Sequence, residues 1–224
     1  MQKIKAIIFD LDGVITDTAE FHYLAWKKLS EKLNYSFTRE FNEELKGISR
    51  MESLEKIIVA SGLHKRLNQE EKLALAEEKN NDYISLIEGI TPKAILPGIE
   101  KFIFQIKREG LKIGLASVSK NAYTVIKRLE LTEQFDTIVD ARKIKNGKPD
   151  PEIFLTAARQ LEFEPIECIG IEDAAAGIEA IKATGMFAVG IGKKDILAKA
   201  DMVYENTESL SLEEILRVYE KQIS

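Results

Sequence analysis

The stretch Ile4-Lys5-Ala6-Ile7-Ile8-Phe9-Asp10-Leu11-Asp12-Gly13-Val14 decides the fold. A short, largely apolar run ends on an acid, a second acid follows two positions later, and a glycine then lets the chain turn away. Apolar runs that do not alternate with polar residues belong to strands of a parallel sheet covered on both faces. Outward from it, the pattern returns at Lys112–Ala116, Thr137–Val139, Cys168–Ile171, Phe187–Ile191 and, more briefly, Met202–Tyr204. Helical stretches lie between these strands. One runs from Ile99 to Glu109 and stops at Gly110, and another covers Ala122–Leu131. Asp150-Pro151-Glu152 opens a third that reaches Leu161, and Ala174–Thr184 ends at Gly185. Strand and helix alternate, so the sequence predicts a doubly wound, parallel-sheet α/β core of Rossmann-like type.

Residues 17–88 break that rhythm. They contain no good strand, but three amphipathic helices are predicted at Phe21–Leu33, Met51–Ala60 and Gln69–Ile87, with Leu54, Ile57 and Ile58 on one face. A helical run of about 70 residues does not fit a single strand-to-helix connection. The expected organisation is therefore a catalytic core of residues 1–16 and 89–224 carrying an inserted helical cap of residues 17–88. The crossings near Thr16–Thr18 and Gly89–Leu96 would serve as hinges. The alternative is one continuous α/β domain with no moving part.

The 224 residues are 45% hydrophobic and 31% charged, enough for a sizeable core. With 37 Asp+Glu against 32 Lys+Arg, the net charge of −5 argues against a general nucleic-acid binder. The lone cysteine, Cys168, closes no internal disulfide and fits a reducing compartment. No apolar run reaches the ~20 residues that span a bilayer. Met1–Phe9 is one strand long and runs into charged residues, unlike a signal peptide. A cytoplasmic, soluble, monomeric protein with no nucleic-acid or membrane partner is expected.

The residues suited to chemistry fall at strand ends, where open α/β sheets bind ligands. Asp10 and Asp12 can face one pocket, and two close carboxylates call for a cation or a shared proton. Taken alone, such a pair is also a solvated turn. Glu172-Asp173 supplies oxygen ligands suited to Mg²⁺, although Asp173 could equally cap a helix. Lys148 stands between a strand and a helix, where a cation can meet a phosphate, although a lone lysine there is ordinarily a surface residue. Ser117-Val118-Ser119-Lys120-Asn121 offers hydroxyls and backbone donors to an anion, or is simply a turn.

The order acidic pair, serine, lysine, acidic pair resembles the haloacid-dehalogenase-like phosphotransferases along the whole chain, and the helical insert is similar to their small-cap class. Within that superfamily the chain resembles the β-phosphoglucomutases. The distinguishing stretches are Asp17-Thr18-Ala19-Glu20, His22, Trp26, Leu45-Lys46-Gly47-Ile48-Ser49-Arg50, Ser53-Leu54, Lys79-Asn80 and Ser117–Asn121. It departs at Val118, where that family often has alanine, and at the cap tip, Leu63–Gln69.

The resemblance implies that Asp10 is the nucleophile and Asp12 the general acid/base. It assigns Mg²⁺ to the Asp10 side chain, the Asp12 backbone carbonyl and Asp173, with Glu172 close by. It gives the transferring phosphoryl group to Ser117 and Lys148. The phosphate at the far end of the substrate goes to Arg50, Ser119, Lys120 and Asn121. Thr18, His22, Trp26, Lys46, Gly47, Ser53, Lys79 and Val118 are implied as further contacts around the sugar phosphate, although Trp26 on an amphipathic helix is also a core residue. Cys168 is expected to be an inert core thiol, His64 to be exposed, and the run Glu70–Asp82 to be a solvated helix face apart from Lys79.

The implied reaction interconverts β-D-glucose 1-phosphate and 6-phosphate through the 1,6-bisphosphate. The alternative on the same scaffold is a sugar-phosphate phosphatase. A third class, the non-catalytic phospho-acceptor, lacks the second aspartate and the cap.

Overall fold

Ala6–Phe9 (β1) lies in the middle of a six-stranded sheet, and its side chains show why the run must be apolar on both faces. Ile7 and Phe9 enter one buried cluster, while Ala6 and Ile8 enter another. The computed structural model describes residues 3–45, 47–64 and 66–223. Among these, Lys112–Leu115 (β2), Thr137–Ile138 (β3), Cys168–Glu172 (β4), Phe187–Ile191 (β5) and Met202–Tyr204 (β6) complete the sheet. Its order is β3-β2-β1-β4-β5-β6, and every pairing is parallel. Ala6 is in register with both Lys112 and Cys168. All six predicted strands are present.

Helices cover both faces. In chain order they are Ala19–Lys32 (α1), Arg39–Glu43 (α2), Arg50–Ala60 (α3), Gln69–Ile87 (α4), Ile99–Arg108 (α5), Ala122–Arg128 (α6), Glu152–Gln160 (α7), Ala175–Thr184 (α8) and Leu212–Ile223 (α9). The cluster under Ile7 and Phe9 draws on α5, α6 and α9. Phe102 of α5 stands edge-on to Phe9 with ring centroids 6.0 Å apart. The cluster under Ala6 and Ile8 draws on α7 and α8.

The helix predicted to Leu131 stops at Arg128. Glu130 takes φ +60°, Glu130 N–H bonds Lys127 C=O, and Leu131 N–H bonds Ile126 C=O, a Schellman ending built without glycine. At α8 the cap position belongs to Ala174, with no side-chain bond, so the capping reading of Asp173 does not hold. Helices α2 and α9 are additional to the helices expected from the sequence. The α9 signal was present in Ser211, which accepts from Glu214 N–H, and in the apolar stripe Leu212, Ile215, Tyr219.

Residues of α1 to α4 build a third apolar cluster around Trp26, Leu29, Leu54, Ile57 and Ile58. Both α3 and α4 start with reciprocal capping boxes, Ser49/Glu52 and Asn68/Glu71. Ala25 of α1 and Tyr83 and Ile87 of α4 join the cluster beneath the sheet, which roots the two long helices on the α/β part. The two crossings run side by side. Thr16 bridges Ile95, the Thr16 hydroxyl donates to Ala94 C=O at 2.7 Å, and Leu96 N–H donates to Ile15 C=O at 2.9 Å. Among the described residues no helix is long and apolar enough to cross a membrane.

Candidate active site

The carboxyl ends of β1, β2 and β4 converge on one cavity of about 550 Å³, roofed by residues of α1, α3 and α4. At its floor β1 ends at Phe9, and the next residues turn rather than extend. Asp10 Oδ2 accepts from Asp12 N–H at 3.0 Å, and Gly13 N–H bonds Thr16 C=O. Gly13 is required here: its φ is +78°, and a Cβ would come within 2.2 Å of Asp173 Oδ2. The turn brings both Asp10 and Asp12 to the cavity wall.

Lys148 comes from the long loop between β3 and α7 rather than from a strand end. It is fully buried, unlike a surface lysine. Its ammonium donates to Asp10 Oδ1 at 2.6 Å and to Glu172 Oε2 at 2.7 Å. Glu172 Oε1 accepts from the backbone N–H groups of Asp173 and Ala174. Burial works against the charge on Lys148, but the Asp10 and Glu172 carboxylates more than offset it and hold the ammonium above the usual lysine range. Burial, and then the Asp10 charge, push Glu172 up against the pull of Lys148.

One carboxylate oxygen from each of Asp10, Glu172 and Asp173 lies within 4.8 Å of the others. Hard oxygen donors at this spacing fit a small divalent cation such as Mg²⁺. The Asp12 side chain is not part of that group. Thr18 Oγ1 donates to Asp12 Oδ1, and Tyr83 Oη donates to Thr18 Oγ1 at 3.3 Å.

On its other side Asp12 meets His22, whose Nε2 is 3.9 Å from Asp12 Oδ2. Burial, then the charges of Lys79 and Arg50, hold the His22 imidazole well below its ordinary range, so it is neutral. Lys79 Nζ lies 2.8 Å from His22 Nδ1, on the side of the ring away from the Nε2 that faces Asp12. Lys79 is itself pushed down to about 7, first by burial and then by Arg50. Its Nζ sits over the rings of Trp26 and Tyr83. Burial, then the Asp10 charge, push Asp12 up to about 8, which brings the exchange of its proton close to neutral pH.

At the roof, Arg50 opens α3. Its Nη2 donates to Asn80 Oδ1 at 2.7 Å, and Asn121 Nδ2 donates to the same oxygen at 2.9 Å. Asn80 thus joins Arg50 at the start of α3 to Asn121 just before α6. Glu77 carries an oxygen 3.7 Å from Arg50 Nη1.

Of the residues expected from the sequence, Asp10, Asp12, His22, Trp26, Gly47, Arg50, Ser53, Lys79, Ser117, Val118, Ser119, Lys120, Asn121 and Asp173 line the cavity. Thr18, Lys148 and Glu172 stand behind that wall and act on the acids in it. Lys46 lies outside the described residues. Trp26 belongs to the apolar cluster of the insert and lines the cavity as well. Cys168 is buried, and burial pushes its thiol up to about 12, as expected of an inert core cysteine. His64 is exposed.

Sequence reasoning gave no role to Asn80, Tyr83 or Glu77. A signal existed for the first two: Ala76, Lys79, Asn80, Tyr83 and Ile87 form one buried stripe of α4, and polar members of such a stripe need partners.

The chain is 51% identical over 210 residues to β-phosphoglucomutase of Bacillus subtilis, covering 94% of this chain and 93% of that one. A crystal structure of β-phosphoglucomutase from Clostridium difficile superposes with a TM-score of 0.96 at 51% identity, covering 98% of this chain and 99% of the other. A phosphorylated carbohydrates phosphatase of Thermotoga maritima is 29% identical over 185 residues, 82% of each chain. The family model for haloacid dehalogenase-like hydrolases matches residues 4–185, and the chain belongs to that family.

Proposed function

We propose that this chain is a β-phosphoglucomutase, an isomerase that interconverts β-D-glucose 1-phosphate and β-D-glucose 6-phosphate through the 1,6-bisphosphate. The observation that carries the reading is a cavity equipped for anions at both ends. Asp10, Asp12 and Lys148 lie at the floor, and Arg50, Asn80 and Asn121 at the roof. A simple phosphatase needs only the first of these. The 51% identity to the Bacillus subtilis enzyme over nearly the whole chain supports the same reading.

In this proposal an Asp10 carboxylate oxygen carries the phosphoryl group. A sugar hydroxyl attacks phosphorus and passes its proton to Asp12, the new P–O bond forms, and the Asp10–phosphorus bond breaks. The bisphosphate then turns around. Asp10 takes back the phosphoryl group from the other end while Asp12 returns the proton to the departing sugar oxygen. The Asp12 carboxyl, pushed up to about 8, is suited to give and take that proton, and Thr18 and His22 orient it. Lys148 and Ser117 hold the transferring group at the floor, and Arg50, Ser119, Lys120 and Asn121 hold the other phosphate. Mg²⁺ would be held by Asp10, the Asp12 backbone carbonyl and Asp173 beside Glu172, and supplies charge neutralisation where an anionic nucleophile meets an anionic phosphoryl group.

We assign residues 17–88 as a cap over a core formed by residues 1–16 and 89–224. The paired crossings at Thr16 and Ile95 are the hinge about which the roof excludes water from the acyl phosphate. The test is incubation with β-glucose 1-phosphate, Mg²⁺ and a trace of the bisphosphate, reading glucose 6-phosphate and inorganic phosphate together. Glucose 6-phosphate should dominate. Release of inorganic phosphate as the main product would replace the mutase with a sugar-phosphate phosphatase.

A further inference from the structure

The roof guanidinium is held unevenly. One nitrogen, Arg50 Nη2, makes a short bond to Asn80, a neutral acceptor that is itself buried and fixed from the core by Asn121. The other, Nη1, faces Glu77 at 3.7 Å, beyond hydrogen-bond reach but close enough for charge attraction. The Arg50 side chain is 16% exposed and that of Glu77 is 65% exposed. Both residues line the cavity. Burial pulls the Arg50 guanidinium down from its ordinary range, and the Glu77 charge is the largest influence opposing that pull. Glu77 is thus a carboxylate stationed, loosely, on the free edge of the cation assigned to the distal phosphate.

We propose that Glu77 is a positioning residue for the distal phosphate site: it shares Arg50 with the substrate phosphate and weakens that grip, so that the bisphosphate can leave the roof and turn around. The inference rests on the reading of Arg50 as a phosphate ligand. The chemistry follows from the reaction. Each phosphate must be held at the roof in one half of the cycle and given up in the other, so a grip that is too tight slows the cycle. An exposed, unlatched carboxylate can swing off Arg50 when a doubly charged phosphate arrives and return when it departs. Side-chain pairs this exposed are worth up to about 1 kcal/mol, so removing the charge should change affinity by up to about fivefold.

The experiment measures KM and kcat for β-glucose 1-phosphate in wild type, Glu77→Gln, Arg50→Ala and the double variant, at low and high ionic strength. Glu77→Gln should lower KM by up to about fivefold at low salt without raising kcat, and the difference should shrink in high salt. In the Arg50→Ala background the same substitution should leave KM unchanged. An equal drop in KM in both backgrounds would show general repulsion at the cavity mouth and overturn the inference. So would an unchanged KM in Glu77→Gln when Arg50→Ala raises KM. If Arg50→Ala itself leaves KM unaltered, it is the assignment of the distal phosphate site that fails.

Discussion

At the floor of the cavity Lys148 is wholly buried and touches Asp10 and Glu172 at 2.6 and 2.7 Å, whereas at the roof Arg50 is partly exposed and meets Glu77 only at 3.7 Å. The floor ion pairs of Lys148 with Asp10 and Glu172 are buried, and backbone N–H groups fix Glu172, so solvent screens them little. The roof charges ride on α3 and α4, and solvent screens them. Covalent transfer needs reacting atoms fixed to a fraction of an ångström, and a fixed, dry electrostatic frame supplies that. Holding a phosphate and releasing it again needs the opposite. In the proposed reaction the difference in burial divides the labour of the site, and substitutions at the two ends should fail in different ways.

The sharpest break of this comparison is at Asp10. Asp10→Asn removes the proposed nucleophile but leaves Lys148 paired to Glu172, so the protein should fold and still form no acyl phosphate. Normal turnover by a well-folded Asp10→Asn protein would remove the floor from the chemistry altogether. Next is Asp12→Asn, which retains the backbone carbonyl assigned to the metal. Mg²⁺ affinity should persist while turnover falls by ~10²–10⁴-fold, the usual contribution of general acid–base catalysis. Loss of metal affinity with unchanged metal-saturated turnover would make Asp12 a side-chain ligand instead.

The floor can also be tested without touching a reacting group. A Cβ on Gly177 of α8 would lie 2.1 Å from Glu172 Cδ, so Gly177→Ala must push Glu172 away from Lys148. Leaving a buried charge without any partner costs about 3–5 kcal/mol, and because Asp10 still holds Lys148 the loss should be smaller than that. That loss should be visible as a lowered urea midpoint at an unchanged m-value. A midpoint equal to wild type would show that the floor is softer than its contacts suggest. At the roof the loss should be functional rather than structural. Arg50→Ala removes charge-assisted bonds of roughly 1.5–3 kcal/mol each, so mutase activity should fall at least tenfold. Some phosphate release from the bisphosphate should survive, because the floor is intact and water gains access. Intact isomerisation would show that the roof does not hold the second phosphate.

The two ends were also unequally legible in the sequence. The floor residues sit on or beside strands whose apolar runs announce themselves, because a strand buried on both faces tolerates no polar side chain before its end, as at Phe9-Asp10 and Ile171-Glu172. Helices α1, α3 and α4 were legible for the same reason of periodicity. The full burial of Lys148 was not, since it depends on a loop between β3 and α7 folding back onto Asp10 across 138 positions of sequence. Nor was the link from Thr18 to Tyr83, 65 positions apart, which exists only because α1 packs on α4. The resemblance to known mutases named Arg50. The side-chain pairing of Arg50 with Asn80 and Glu77 became visible only once α3 and α4 stood side by side.

The smallest expected effect comes from repeating the glycine-to-alanine change at the cavity mouth. Gly147 precedes Lys148, and a Cβ there would come within 2.8 Å of Glu52 Oε2. That oxygen is the end of a flexible side chain, and it accepts from Ser49 N–H at 2.9 Å as half of the α3 capping box. Glu52 can swing aside, so Gly147→Ala should cost no more than that half-cap. Capping interactions are worth about 0.5–2 kcal/mol, and losing only the glutamate arm falls at the low end. The urea midpoint should move slightly, and KM should change by no more than about threefold, the equivalent of roughly 0.6 kcal/mol. The same added methyl group thus meets a rigid, charge-locked carboxylate at Gly177 and a mobile, solvent-facing one at Gly147. If the two variants lose equal stability, the mouth is as rigid as the floor, and the contrast between a fixed transfer end and a yielding grip end does not hold.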